Sequence, residues 1–310
     1  MTLGFDTTTD EVMEGVDLSN KLAIVTGSST GIGAETARVL AGGGAHVVLA
    51  ARNRDRTEEV EVSIRANAPG AEVEFGLLDL TSLDSVRAFA AWYLSRHEEL
   101  HLLVNNAGVM YTPFERTAEG FELQFGTNHL GHFLLTCLLV PALLAGAPSR
   151  VVNLTSGGHV GSDIVWDDPN FERREYDKFA AYGQSKTANI LFSVELERRL
   201  GDRGVHAYAV HPGMIATELG RYMTRDDVAA LMERAKRGPS GGMPPRKSLE
   251  QGAATSVWAA VAPELETQGG TYLADCAVSD EHAPWARDPD SAVRLWTLSE
   301  DLVGERFPLA

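Results

Sequence analysis

Cysteine is nearly missing from this chain of 310 residues. Cys137 and Cys276 are the two it has, far apart and without ligand-like spacing, which argues against a disulfide framework and a cysteine zinc site. Both are expected to be buried thiols. No uninterrupted apolar stretch approaches the roughly eighteen residues of a membrane span. The first twenty residues are polar and acidic, with neither a basic n-region nor an apolar h-region. No secretory signal or membrane anchor is therefore expected, and a cytoplasmic location is the default. Positive charge is also scarce: 27 basic residues face 43 acidic ones, a net charge of −16 at pH 7. Such a field repels nucleic acid and anionic lipid, so neither is an expected partner, and an anionic ligand needs a local positive pocket. His129 and His132 lie three apart without a third ligand beside them, so a packed helical pair is expected and no metal.

What is present is ordinary globular composition, 44% apolar and 23% charged, arranged in a regular rhythm. Short apolar runs at Lys21–Gly27, His46–Ala50, Val73–Leu77, Leu102–Val104 and Arg150–Leu154 look like buried parallel strands. Helical periodicity separates them at about 32–42, 54–67, 82–97 and 120–144. A helix at about 180–200, a strand at Val205–Val210, a helix at about 249–261 and a strand at Gly270–Ala274 continue the alternation. The pattern predicts an α/β fold, a single-domain Rossmann-type doubly wound parallel sheet of about seven strands with helices on both faces, over residues 20–310. Residues 1–19 read as an N-terminal extension, and a closing helix is expected at about 289–303 within Asp288–Gly304. Two inserts break the rhythm. Gly157–Phe179 is rich in Asp, Arg and aromatic residues, and 213–248 carries Met214, Met223, Met232 and Met243 with a Gly- and Pro-rich stretch at Gly238–Pro245. The second is expected to form a mobile lid.

Thr26-Gly27-Ser28-Ser29-Thr30-Gly31-Ile32-Gly33 joins the first strand to the first helix of the β-α-β pattern. There, backbone amides and the positive end of a helix dipole can meet a pyrophosphate, so Gly27, Ser29, Thr30, Gly31, Ile32 and Gly33 are candidate dinucleotide-binding residues. After the second strand an NAD site places a carboxylate for the adenosine ribose, but here the run is Ala50-Ala51-Arg52-Asn53. Arg52 can pair with a 2′-phosphate through its planar fork, which favours NADP(H). Tyr182 and Lys186 are four apart in Ala-Tyr-Gly-Gln-Ser-Lys and share one helix face. A free phenol, with a pKa of about 10, is a poor base at neutral pH, and a fixed ammonium beside it would make it fit for proton transfer.

The spacing of Gly27, Gly31 and Gly33, then Asn105-Asn106-Ala107-Gly108, then Tyr182 and Lys186 resembles the short-chain dehydrogenase/reductase superfamily over about residues 20–275. Gly252-Ala253-Ala254-Thr255, Pro263-Glu264-Leu265, Gly269-Gly270-Thr271-Tyr272 and Leu295-Trp296 resemble the subset containing retinol dehydrogenases and WW-domain oxidoreductases. The resemblance implies that Asp79 and Leu80 border the adenine, and that Asn106, Ala107 and Gly108 close over the ribose and steady the central strand. It further implies that Pro212, Gly213, Ile215 and Thr217 hold the nicotinamide carboxamide. Ser156 and Asn128 match the family's serine and its helix-kinking asparagine, completing a tetrad with Tyr182 and Lys186. Thr155 is the rival hydroxyl, but alternation along a strand lets only one of the pair face the pocket.

On this reading Tyr182 exchanges a proton with a carbonyl or alcohol oxygen during hydride transfer, and Ser156 hydrogen-bonds that oxygen. Lys186 lowers the phenol's pKa and binds the nicotinamide ribose, while Asn128 holds a water linking Lys186 to solvent. Family dimers pair the Tyr-bearing helix, so Ile190, Leu191 and Phe192 would serve either a homodimer or a contact within the chain. Membrane-bound retinol dehydrogenases of mammals carry an apolar N-terminal anchor that this sequence lacks, which favours a carbonyl reductase without retinoid specificity. Trp166, Phe171, Tyr176 and Phe179, with the methionines, suggest a roomy apolar pocket for a small-molecule carbonyl or alcohol. The rival readings are an NADP-binding regulatory or scaffold protein without turnover, and a nucleotide-sugar epimerase.

Overall fold

Apolar side chains alternate between two faces along each strand, and this decides which helices cover which side of the sheet. In a computed structural model describing residues 3–237 and 242–307, Ile24, Val48, Leu103 and Val151 point to one face and Val25, Val47, Val104 and Val152 to the other. The parallel strands are β1 (Leu22–Thr26), β2 (His46–Ala51), β3 (Val73–Leu77), β4 (Leu102–Asn105), β5 (Ser149–Leu154) and β6 (Val205–His211). Further on come β7 (Met214–Ile215), β8 (Arg246–Lys247), β9 (Tyr272–Ala274) and β10 (Ala277–Val278). The main sheet runs β10-β9-β6-β5-β4-β1-β2-β3, parallel except for β10, and the order reverses between β1 and β4. That reversal opens a crevice at the strands' carboxyl ends.

The helices are α1 (Thr9–Val12), α2 (Gly31–Gly42), α3 (Arg54–Asn67), α4 (Leu83–Leu94), α5 (Leu123–Phe125), α6 (Gly131–Ala145), α7 (Lys178–Leu200), α8 (Arg225–Arg237), α9 (Leu249–Val261) and α10 (Pro289–Val303). Residues of α4, α6, α7 and α10 share one core cluster, and those of α2 and α9 share the other. α5 and α6 are one rod interrupted by a π turn at Gly126–Leu130. The rod is apolar and long enough to cross a membrane, with mean hydropathy 1.5, but 78% of its most apolar stretch is buried inside the protein. It is the core helix of the sheet.

Three features exceed the sequence expectations. The main sheet has eight strands, because Asp275 and Cys276 both adopt left-handed backbone (φ 52° and 53°) and turn the chain back as β10. The N-terminal segment is docked: Leu3, Val12, Met13, Val16 and Leu18 pack on the α2–α9 side, and Thr9 Oγ1 donates to Glu35 Oε1 at 2.5 Å. The 213–248 insert contains a helix, α8, and its two ends are pinned together by the parallel pair β7–β8. Gly238–Gly241 of the expected lid lie outside the described residues. Both cysteines are buried thiols.

Candidate active site

Backbone geometry fixes the first glycine turn. Gly27 has φ +67°, and a Cβ there would sit 2.8 Å from Ala107 Cα; a Cβ on Gly33 would meet Asn106 Nδ2 at 2.4 Å and the Gly27 carbonyl at 2.5 Å. The turn therefore lies flat against the start of the Asn106–Gly108 segment. Asn106 fastens it, donating from Nδ2 to the Thr26 carbonyl (2.8 Å) while its N–H donates to Thr26 Oγ1 (2.9 Å). α3, α4, α7, α9 and α10 are each capped by a side chain, but Thr30 makes no such bond to α2. The first-turn amides of α2 thus keep their capacity for an anion. Ser28 adds a buried hydroxyl with no hydrogen-bond partner. Open amides, an unpartnered hydroxyl and a turn with no room for side chains fit a dinucleotide's pyrophosphate.

A cleft of about 720 Å³ extends from this turn, lined by Thr30, Gly31, Ile215, Ala216, Thr217, Glu218, Lys247, Ser248 and Leu249. Thr217 faces Gly31, its Cγ2 being 3.6 Å from where a Gly31 Cβ would be, so the structure brings the two ends of the predicted site together. Gly213 (φ +85°) leaves room for the Lys247 stem, and Ile215 packs over Gly252. Pro212 is half-buried beside them. Arg52 stands at the end of β2, largely exposed, with Nη1 4.0 Å from Asp79 Oδ1. Leu80 departs from expectation: its side chain is buried in the core against Gly131, which leaves only its backbone to border an adenine.

The tetrad residues converge at the ends of β5 and α7. Ser156 caps a short helical turn (Gly157–Gly161), its hydroxyl accepting the Gly158 N–H at 3.1 Å, and the Tyr182 ring lies beside it, both lining the space where a Gly158 Cβ would sit. Thr155 points away and donates to the Lys186 carbonyl (2.8 Å), as strand alternation requires. The Lys186 ammonium donates to the Leu154 carbonyl at 3.0 Å and lies 5.7 Å from the Tyr182 ring centre. Asn128 sits within the π turn, its amide locked by the Val109 N–H and carbonyl and by Ser185 Oγ, all within 2.9 Å. Gly108 makes this possible, since a Cβ there would crowd Asn128 Oδ1 (3.1 Å) and approach Lys186 Nζ (3.8 Å).

Electrostatics in the protein alone differ from the expected acidified phenol. Burial pushes Tyr182 up to about 12, the Ser156 hydrogen bond only partly opposing it, and burial pushes Lys186 down to about 8. Desolvation of both groups outweighs their attraction. The phenol is therefore protonated at neutral pH and equipped to donate. The two helical histidines go separate ways: His129 Nε2 meets Ser299 Oγ at 2.8 Å, and His132 Nε2 meets Thr26 Oγ1 at 2.9 Å.

Several site residues carried no sequence signal. Lys247 is almost fully buried in the cleft, 2.5 Å from Asp275, its ammonium 4.9 Å from the Phe5 ring. Only tertiary contact makes it part of the site, for it precedes a helix cap with no motif of its own. Tyr111 has φ 53°, unusual for a bulky residue, and its ring joins Tyr182 (5.1 Å) to Phe179 (4.6 Å). Beyond Phe179 lies an open cavity of about 550 Å³ lined by Thr112, Pro113, Tyr176, Lys178 and Arg234, among others. Of the insert aromatics, only Tyr176 and Phe179 line this cavity. Phe171 is buried under Arg174, Trp166 packs beneath Arg294, and Met232 and Met243 are exposed, so neither they nor the methionines make the expected roomy apolar pocket. Ile190, Leu191 and Phe192 are buried within the chain, Phe192 against Trp296 of α10.

With this geometry in view, the comparisons with known proteins are decisive. Residues 21–228 match the family model for short chain dehydrogenase. The chain belongs to the short-chain dehydrogenase family. It is 44% identical to mouse retinol dehydrogenase 12 over 93% of its own length and 88% of that protein's, and 42% identical to zebrafish WW domain-containing oxidoreductase over 96% and 71%. Among solved structures, an uncharacterized protein from Mycobacterium paratuberculosis superposes with TM-score 0.76 at 32% identity, covering 98% of this chain and 99% of that one. A Beutenbergia cavernae protein described as an NAD(P)-dependent gluconate 5-dehydrogenase, with NADP bound, gives 0.66 at 25% over 84% and 96%. The chain thus falls in the retinol dehydrogenase-like subset of these oxidoreductases, which act on alcohols and carbonyls through a nicotinamide cofactor.

Proposed function

We propose that the protein interconverts a carbonyl and an alcohol on an apolar small molecule with NADP(H), Tyr182 acting as general acid and base. The observation carrying this reading is the Tyr182 phenol beside Ser156 at the carboxyl end of β5, with the Lys186 ammonium 5.7 Å from its ring centre. The α2 amides, Ser28 and Asn106–Gly108 would hold the dinucleotide on one wall, and Pro212, Gly213, Ile215, Thr217 and Lys247 would hold its nicotinamide end on the other. The cofactor supplies or accepts a hydride. In reduction, Tyr182 donates its proton to the carbonyl oxygen while Ser156 hydrogen-bonds that oxygen. Lys186 keeps positive charge beside the phenolate so formed, and Asn128 fixes the π turn against which Lys186 rests. The rings of Tyr111 and Phe179 lead from Tyr182 to the cavity and present apolar surface to a substrate there. A homodimer through α7 would have to form on a surface that α10 already covers.

Turnover of a carbonyl panel, followed by oxidation of NADPH, tests the assignment. Tyr182→Phe should lower kcat about 10³-fold, the middle of the range for a lost general acid, with NADPH binding near normal because the ring still packs. Unchanged turnover would refute it. NADP preference rests on Arg52, which among the described residues has no closer charged partner than Asp79 at 4.0 Å and follows a strand end without a carboxylate. Arg52→Ala should weaken NADPH binding roughly 10- to 100-fold, the worth of a charge-assisted hydrogen bond, and leave NADH binding unchanged.

A further inference from the structure

At the end of the sheet opposite the crevice, two imidazoles converge on one carboxylate. His46 opens β2, Glu74 lies in β3, and His97 follows the last turn of α4. Val48 is the register partner of Glu74, so His46, two residues earlier, projects on the same sheet face as Glu74, the face that α4 covers. His97 Nε2 is 2.7 Å and His46 Nε2 3.3 Å from the same Glu74 Oε1, and one ligating atom from each of the three lies within 4.8 Å of the others. All three are half-buried, and the Tyr93 ring backs His97 at 4.8 Å.

Glu35, Glu61 and Glu195 each take one or two arginines. Among the described residues no lysine or arginine pairs with Glu74. Its partners are two side chains that are metal ligands when neutral. A tetrahedral zinc with bonds of about 2.0–2.1 Å sets its ligand atoms roughly 3.3–3.4 Å apart. The His46–Glu74 separation already has that length, and His97 must withdraw by about 0.7 Å.

The geometry points to a divalent metal site, zinc by its two nitrogens and one oxygen, formed by His46 Nε2, Glu74 and His97 Nε2, with water completing the shell. The metal clamps the β2–β3 edge of the sheet to the end of α4. Because the site lies away from the crevice, its role is structural and independent of the oxidoreductase reading. Metal-free protein titrated calorimetrically with zinc chloride should bind one equivalent and gain a few degrees in unfolding midpoint. The cobalt(II) form should show visible absorption of a low-coordinate nitrogen and oxygen site. His97→Ala, His46→Ala and Glu74→Gln should each lose at least about 100-fold in affinity. His206→Ala, which breaks an isolated His–Glu pair, should change nothing. Absence of binding by the wild type, or equal binding by the wild type and His97→Ala, overturns the site. Since metal uptake is read without turnover, a failure here leaves Tyr182 untouched, and an inactive protein that binds zinc sinks only the enzymatic reading.

Discussion

On the β1 side of the cleft a methyl group has nowhere to go, whereas on the 213–248 side the contacts are made by long charged side chains. Gly27 and Gly33 leave no room for a side chain against Ala107, the Asn106 amide and the Gly27 carbonyl, and that amide is tied to the Thr26 carbonyl. The opposite wall is tied by Lys178–Asp227 (2.8 Å), Arg56–Glu218 (2.7 Å), Lys247–Asp275 (2.5 Å) and the two-residue ribbon β7–β8. The first construction tolerates almost no change, which suits the proposed grip on what is common to every dinucleotide. The second can vary residue by residue without disturbing the sheet, which suits a wall that must fit a particular substrate.

The comparison breaks first at Gly33. Gly33→Ala forces a Cβ into Asn106 Nδ2 and the Gly27 carbonyl, so the Asn106 amide must leave the Thr26 carbonyl and the turn must shift. The expected result is a loss of about 2–3 kcal/mol in stability, seen by denaturant unfolding, together with loss of NADPH binding by fluorescence titration. A variant with wild-type affinity would mean that the turn is not fixed by backbone contact.

That asymmetry also decides what was legible in the sequence. The glycine turn, the strand rhythm and the Tyr182–Lys186 spacing could be read because each obeys a short-range rule: a close approach, a period of two, a helical repeat. Lys247, Tyr111 and the α1 dock could not. Lys247 enters the cleft only because β7 and β8 pair across more than thirty residues, and Tyr111 only because Gln124 holds its N–H in a left-handed turn (2.8 Å). The aromatics of 157–179 had the composition of a pocket, but Phe171 and Trp166 found arginines to pack with instead. Ile190, Leu191 and Phe192 could serve an interface or a core on pattern alone, and α10, distant in sequence, settled the matter.

Acid should strike both walls together. Burial pushes His129 down to about 3, and His132 and His211 down to about 4, from an ordinary value of 6.5. His132 bridges the Asn128 carbonyl and Thr26 Oγ1, and His211 Nδ1 accepts the Gly157 N–H at 3.1 Å. Between about 6.5 and 4 the unfolded chain holds more protons than the folded one, so stability is kept above that window and falls as pH drops through it. At about 1.4 kcal/mol per unit per group, three histidines remove several kcal/mol. Urea midpoints measured from neutral pH to pH 4 should fall steeply; a flat profile would show that these rings are not buried neutral.

The smallest effects separate the ties within the second wall. Asp227 is buried and receives both Lys178 and the Thr224 N–H, so Asp227→Asn should cost about 1–2 kcal/mol by unfolding. Arg56 and Glu218 are each 53% exposed, and such a pair contributes at most about 1 kcal/mol. Glu218→Gln should therefore leave the unfolding midpoint nearly unmoved and raise KM for NADPH about two- to threefold, an effect that salt should mimic in the wild type by screening the pair. Glu218 lines the cleft directly after Thr217, while Arg56 lies in the first turn of α3 just past Arg52, so the pair joins the adjustable wall to the segment proposed to meet the adenosine end. If KM does not move, the two walls act independently, and the adjustable one owes its position to Asp227 and the β7–β8 ribbon alone.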